Sequence, residues 1–142
     1  MANVMIWKKQ LSVGNLVIDA GHQNLIGMIN SLEYAIKQKD GSQLLRIFES
    51  FFDSARLHFK DEEKIMQAVA FPFVPHRQEH QYLLDDLQGT LGYLAAQNGT
   101  WAERVMDHYP KFLRDWFADH INNGIATLKP VLQAYPYDFI PV

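Results

Sequence analysis

Apolar residues recur at alternating steps of four and three along one stretch of the chain, and this pattern predicts a helix with one buried face. The stripe consists of Leu44, Phe48, Phe51, Ala55, His58, Glu62, Ile65 and Val69. A histidine and a glutamate therefore stand in the middle of an inward stripe. A buried imidazole and a buried carboxylate cost free energy unless something compensates them. A bound metal ion would compensate both.

Turn signals divide the chain into four segments of this kind, joined by short links. The predicted parts are an arm over 1–18, main helices over 19–39, 42–69, 75–97 and 109–129, and a tail over 130–142. We expect Asp19 and Ser42 to cap the first two helices and Pro110 to open the last one. Residues 101–108 are also helical by composition. Because short links favour antiparallel neighbours, the sequence predicts one all-α domain, an antiparallel up-down four-helix bundle over 1–142.

Composition excludes several classes of protein. A chain of 142 residues can bury a sizeable core without disulfides. The absence of cysteine excludes disulfides, iron–sulfur clusters, thiolate zinc sites and covalent c-type haem. With a net charge of −3 and no basic stripe, nucleic acid is not an expected partner. No apolar run is long enough to cross a membrane, and the first residues lack an apolar signal core, so we expect a cytoplasmic protein.

Most of the histidines lie on the predicted inward stripes. The candidate metal ligands are His22, His58, Glu62, His76, His80 and His120. Two pairs among them are spaced four residues apart, so each pair shares one helix face. Imidazole suits iron, zinc, copper and nickel. Each pair alone is equally typical of a helix surface, and each single histidine of ordinary packing. Their occurrence together on four helices favours a metal site in the bundle core.

These motifs resemble those of the single-domain bacterial hemerythrins over nearly the whole chain. The matching stretches are Trp7, Ile18-Asp19-x-x-His22, His58-Phe-x-x-Glu62-Glu-x-x-Met66, His76-x-x-x-His80 and Trp116-x-x-x-His120-Ile121. The resemblance implies reversible binding of dioxygen at two non-haem iron ions. By this resemblance, one iron would be held by His76, His80 and His120, and the oxygen-binding iron by His22 and His58, with Glu62 as the bridge. Trp116, Phe117 and Ile121 would line the oxygen pocket.

Two positions depart from the family's pattern. The family places a second bridging aspartate five residues after the last histidine, where this chain has Ile125, and it usually has leucine at position 117, where phenylalanine would shrink the pocket. Without that aspartate, one more positive charge stays uncompensated in a medium of low dielectric constant. We expect weaker metal binding, most of all at the two-histidine iron, and weaker or faster-autoxidising oxygen binding.

Three outcomes are open at the position of the missing aspartate. A water, hydroxide or small carboxylate could fill the gap, Asn122 or Asn123 could supply an oxygen, or only the three-histidine iron could stay tightly bound. The leading interpretation is an oxygen carrier, store or sensor. One alternative is a redox enzyme acting on peroxide, nitric oxide or dioxygen, because open positions on iron permit such chemistry. The other is a degenerate bundle that holds one metal ion.

Overall fold

Four long helices form the framework of the computed structural model, which describes residues 5–97 and 103–141. They are α1 (Leu16–Lys37), α2 (Gly41–Ala68), α3 (Val74–Ala96) and α4 (Glu103–Asp119). A 3-10 turn (Lys9–Leu11) precedes them, and a π-helical turn (His120–Gly124), a 3-10 turn (Ile125–Leu128) and the short α5 (Lys129–Leu132) follow. The described residues contain no strand. The chain is therefore an all-α four-helix bundle, as the sequence predicts.

The inward stripe predicted on α2 is buried along its whole length. Helix α2 packs against both α1 and α3, and α1 also packs against α4. Only residues 38–40 separate α1 from α2, and so short a link turns the chain back alongside itself. In the described part of the chain, no helix combines the length and hydropathy that a membrane crossing requires.

Helix α1 begins earlier than the sequence predicts. Asn15 caps it, because its side-chain oxygen accepts the backbone N–H groups of Val17 at 3.0 Å and Ile18 at 3.1 Å. Asp19, the predicted cap, lies inside the first turn and is buried. Both residue types are good N-caps. Asn15 caps the helix instead of Asp19 because the Asp19 carboxylate accepts hydrogen bonds from other residues, described below.

Two further helix starts differ from the prediction. Asp40 caps α2 in place of Ser42, accepting the N–H of Gln43 at 3.0 Å. Pro110 lies inside α4 and does not open it, because the helix is already formed over the preceding residues from Glu103. A proline inside a helix removes one backbone hydrogen bond without necessarily ending the helix. The predicted helical stretch 101–108 is described from residue 103 onwards, where it is part of α4; residues 101 and 102 lie outside the described residues.

The last predicted helix does not continue as an α-helix to residue 129. At His120–Gly124 the chain makes a π-helical turn, in which the N–H of Ile125 donates to the carbonyl of His120. The run Asn-Asn-Gly at 122–124 has poor helix propensity, so the α-helical ladder is weak there. This i→i+5 hydrogen bond puts position 125 one π-helical turn after His120. Ile125 is fully buried.

A second apolar cluster, the end cluster, closes one end of the bundle apart from the main core. Its buried members are Val13, Ile18, Ile65, Met66, Val69, Ile125, Leu128 and Leu132. The buried carboxylate of Asp19 ties the N-terminal arm and the C-terminal tail together beside this cluster. It accepts the Ser12 hydroxyl, the Val13 N–H at 3.0 Å and the Tyr137 hydroxyl at 2.9 Å.

Candidate metal centre

The carboxylate of Glu62 is the centre of the candidate site, and it is fully buried. Its Oε2 lies 2.8 Å from His22 Nε2 and 2.7 Å from His58 Nε2. Its Oε1 lies 3.2 Å from His80 Nε2, and His120 Nε2 lies 3.2 Å from Oε1 and 3.3 Å from Oε2. One histidine thus arrives from α1, one from α2, one from α3 and one from the end of α4. The structure brings these five predicted site residues together around one carboxylate.

The arrangement fits a metal ion. Donor atoms of His22, His58, Glu62 and His120 all lie within 4.8 Å of one another, and all four residues are buried. Buried His58 Nε2, His80 Nε2 and Glu62 Oε1 make no hydrogen bond with the described residues, although they lie at contact distance. Buried polar atoms without partners are costly. A cation with ligand distances of about 2.0–2.2 Å would satisfy donors spaced in this way.

The charge states of Glu62 and His120 favour a cation. Burial by itself would raise the pKa of the Glu62 carboxyl, but the charges of His58 and His120 and the hydrogen bonds from His120 and His22 hold that pKa well below 4.5. Burial lowers the pKa of His120 to about 4. At neutral pH the site therefore holds an anionic carboxylate and a neutral imidazole at these positions. Those are the protonation states that bind a metal ion.

His80 has a second carboxylate on its far side. Its Nδ1 lies 2.9 Å from Oε2 of Glu63, and Oε1 of Glu63 accepts Arg77 Nε at 3.2 Å. Burial opposes protonation of His80, yet its interactions with the Glu62 and Glu63 carboxylates outweigh burial and raise the pKa of His80. The ring of Phe59 stacks on His80 with centroids 4.1 Å apart. Glu63 is thus bonded to a candidate ligand, although it lies beside the inward stripe of α2 and not on it.

His76 lies at the edge of this group. It is half-buried at the start of α3, and its ring centroid is 5.8 Å from that of Phe71. Its Nδ1 is buried without a hydrogen-bond partner among the described residues. Burial, and then the charge of His80, lowers its pKa. His76 does not belong to the four residues whose donor atoms lie within 4.8 Å of one another.

A glycine makes room for one of the candidate ligands. A Cβ atom at Gly21 would lie 1.9 Å from Nδ1 of His58, which is far inside van der Waals contact. The His58 ring can take its place against α1 only because position 21 has no side chain. Sequence reasoning missed this role, because a glycine next to His22 gives no local sign of a neighbour from another helix.

The residues predicted to line an oxygen pocket surround His120. Phe117 and Ile121 are buried in the main core. The Phe117 ring lies 5.9 Å from the His120 ring, and Trp116 stacks on His120 at 5.0 Å with the rings inclined by 14°. A cavity of about 170 Å³ opens on the outer side of Trp116 and His120. Its other lining residues are Glu79, Tyr82 and Asp119, which sequence reasoning did not single out.

The apolar side chain of Ile125 occupies the position where the family places its second bridging aspartate. Ile125 packs within the end cluster, together with Ile18 and Ile65. Asn122, one of the two asparagines considered as a replacement ligand, is exposed and does not turn into the site. The side chain of Asn123 lies outside the described part of the structure.

Comparisons with known proteins identify a family and several relatives of this chain. The family described as "Hemerythrin HHE cation binding domain" matches residues 14–132. The bacteriohemerythrin of Stenotrophomonas maltophilia is 24% identical over 138 residues, covering 96% of this chain and 86% of that protein. The bacteriohemerythrin of Methylococcus capsulatus is 27% identical over 117 residues, covering 82% and 86%. That of Pseudomonas aeruginosa is 27% identical over 123 residues, covering 86% and 77%.

Solved structures agree on the fold. The crystal structure of a hemerythrin with a leucine-to-tyrosine substitution superposes with a TM-score of 0.81 at 22% identity, covering 92% of this chain and 98% of the other. A leucine-to-phenylalanine mutant structure gives the same TM-score at 23% identity. A buried cluster of histidines and a glutamate that can hold a metal ion thus lies within a family match spanning most of the sequence. The chain belongs to the hemerythrin family of HHE cation-binding domains.

Proposed function

We propose that this protein binds dioxygen reversibly at two non-haem iron ions in the bundle core, as an oxygen carrier, store or sensor. The observation that carries the proposal is the way Glu62 is shared. Its Oε2 contacts His22 and His58, its Oε1 contacts His80, and His120 lies beside both oxygens, 3.2 Å from Oε1 and 3.3 Å from Oε2. A carboxylate with histidines at both of its oxygens is suited to bridge two ions. Membership of the family supports iron and dioxygen as the ligands.

The proposed ligand sets are those that the resemblance to the family implies. His22 and His58 would hold one iron, His76, His80 and His120 would hold the other, and Glu62 would bridge them. The iron ions would supply the electrons and the open coordination position that reversible oxygen binding requires. The protein supplies buried imidazoles, and the apolar side chains of Phe117 and Ile121 would exclude water from the bound gas.

The proposal includes an altered affinity. Glu62 contacts His22, His58 and His120, whereas Ile125 lies in the end cluster and brings no carboxylate to these histidines. Less negative charge disfavours the oxidised irons and loosens the ions. We therefore expect oxygen binding that is weaker, or lost faster to autoxidation, than a site with two carboxylates would give.

The decisive experiment counts metal and follows one absorption band. The protein is loaded anaerobically with ferrous iron, freed of excess metal, analysed for iron per chain, and then exposed to dioxygen. We expect about two irons per chain and a visible band that disappears when the gas is removed. A Glu62→Gln variant, which keeps the shape and removes the charge, should lose iron and the band. Net consumption of dioxygen without a reversible band, or one iron or fewer per chain, would refute the proposal.

A further inference from the structure

We propose that Glu63 is a positioning residue of the metal centre, which orients His80 and supplies part of the negative charge that a site with a single bridging carboxylate lacks. The inference rests on the metal-binding part of the proposed function and is independent of dioxygen. It starts from the two neighbouring acids on α2. Glu62 points into the site, whereas Glu63 contacts Nδ1 of His80, the ring nitrogen on the side away from Glu62.

The hydrogen bond between His80 and Glu63 fixes which nitrogen faces the metal. An ionised carboxylate can only accept, so Nδ1 of His80 must carry the hydrogen that Glu63 accepts at 2.9 Å. In the neutral ring the lone pair then lies on Nε2, which is 3.2 Å from Oε1 of Glu62 and makes no hydrogen bond. The Nδ1 atoms of His22 and His120 are buried with no such acceptor among the described residues. His80 therefore receives a support that these two histidines lack.

Glu63 is held in place for this task. Its side chain is 20% exposed, and its other oxygen accepts Arg77 Nε at 3.2 Å. The guanidinium group of Arg77 in turn lies 4.6 Å from the centre of the Phe73 ring. On its ring face, His80 is stacked against Phe59. A carboxylate at its edge and an aromatic ring at its face thus fix the imidazole. The protein therefore sets the orientation of His80 before a metal ion binds.

The charge of Glu63 also bears on the metal. A carboxylate bonded to the far nitrogen of a histidine raises the basicity of the ligand nitrogen, and such partners are typically worth 10–100-fold in metal affinity. At this site the effect has added weight, because Ile125 contributes no charge. Arg77 counteracts it from the solvent side, since its side chain is 57% exposed and its charge draws on the same carboxylate.

The test compares Glu63→Gln, Glu63→Leu and Arg77→Gln with the parent protein, and uses Asp61→Asn as the matched control. Asp61 is a partly buried acid two residues away on the same helix, so its variant removes one charge from α2 without touching His80. Two quantities are measured on iron-loaded protein under anaerobic conditions: the rate of iron release to a chelator, and the midpoint potential of the bound iron.

We expect Glu63→Gln to release iron about 10-fold faster or more, and Glu63→Leu faster still. The midpoint potential should rise in both and fall in Arg77→Gln, while Asp61→Asn should match the parent. A purely structural role would lower the melting temperature of the metal-free protein and leave the potential unchanged, which would overturn the proposal. Equal release rates in Glu63→Gln and Asp61→Asn would also overturn it. A parent that binds iron without binding dioxygen would refute the proposed function alone; a parent that binds no iron would refute both.

Discussion

At the scale of single residues, Ile125 decides how much negative charge the centre contains. Ile125→Asp would place a buried carboxylate one π-helical turn after His120. We expect iron to be released more slowly. In the metal-free protein the same change should cost about 3–5 kcal/mol, because it buries an unpaired charge. Iron release to a chelator and urea unfolding measure the two effects.

Ile125→Asn is the matched control for this change, since asparagine has the shape of aspartate without its charge. We expect it to lose stability as a buried polar group does, without gaining iron retention. If the aspartate and asparagine variants release iron at the same rate, a charge deficit at position 125 does not explain the properties of the site.

Two glycines of α1 give a paired prediction. Gly21→Ala forces a Cβ atom to 1.9 Å from His58 Nδ1, whereas a Cβ atom at Gly27 meets nothing within 4 Å. Gly27→Ala should stabilise the protein by about 1 kcal/mol through helix propensity. Gly21→Ala gains the same propensity, yet we expect it to lower both stability and iron affinity because His58 must move. Urea unfolding with and without metal, together with the rate of iron release, would measure these effects. Similar gains in stability at both positions would contradict the observed packing.

The predictable residues and the missed ones differ in a physical way. His58 and Glu62 could be placed in the interior from the sequence, because the helical repeat that buries Phe51 and Ile65 also buries them. Gly21 and Glu63 could not, because their partners come from another helix. No local periodicity records that a ring from α2 lies against α1, or that a histidine of α3 reaches back to an acid of α2.

At the scale of helices, the sequence predicted the bounds of α1, α2 and α3 to within three residues, whereas those of the last helix differ from α4 by more. Near the start of α1, Asn15 and Asp19 are both good caps, and only the tertiary contacts of Asp19 decide between them. The π-helical turn after α4 has the same origin. The weak run at 122–124 permits a longer turn, but the burial of Ile125 on the inside selects it.

Contact between α3 and α4 predicts a loss of stability at alkaline pH. Tyr109 on α4 donates to Asp86 of α3 at 3.0 Å. Burial, and then the charge of Asp86, raises the pKa of the Tyr109 hydroxyl well above 10.0, although a hydrogen bond with Thr90 works in the opposite direction. The unfolded chain therefore loses this proton first as pH rises. The resulting stabilisation is complete below pH 10 and is lost progressively above it.

The free energy of unfolding of the metal-free protein, measured in urea between pH 8 and 11, should fall at the alkaline end of this range by about 1.4 kcal/mol per pH unit at most for one such group. Tyr109→Phe should flatten that fall. Tyr93→Phe is the control, since Tyr93 is 49% exposed on α3, and it should leave the pH dependence unchanged. An unaltered slope in Tyr109→Phe would mean that this hydroxyl does not govern the alkaline limb.

At the scale of the whole molecule, the candidate metal centre is a polar layer between two apolar clusters. Along α2, Glu62 lies between Phe59 of the main core and Ile65 of the end cluster. Along α1, His22 likewise lies between Ile18 and Leu25. The layer is therefore sealed from both ends. The arm and the tail complete the end cluster. They therefore contribute to the burial of the site without contacting it.

The tie between the arm and the tail can be tested through its energetic coupling. Asp19 accepts the Tyr137 hydroxyl at 2.9 Å and the buried Val13 N–H at 3.0 Å. Tyr137→Phe should cost about 1 kcal/mol of unfolding free energy, since Tyr137 is partly exposed, and Asp19→Ala about 2–4 kcal/mol, because it also strands the Val13 donor. In the Asp19→Ala background, Tyr137→Phe should cost nothing further. Urea unfolding of the two single variants and the double variant gives this coupling. Fully additive losses would show that arm and tail are stabilised independently of this carboxylate, and the end cluster would then depend on its apolar contacts alone.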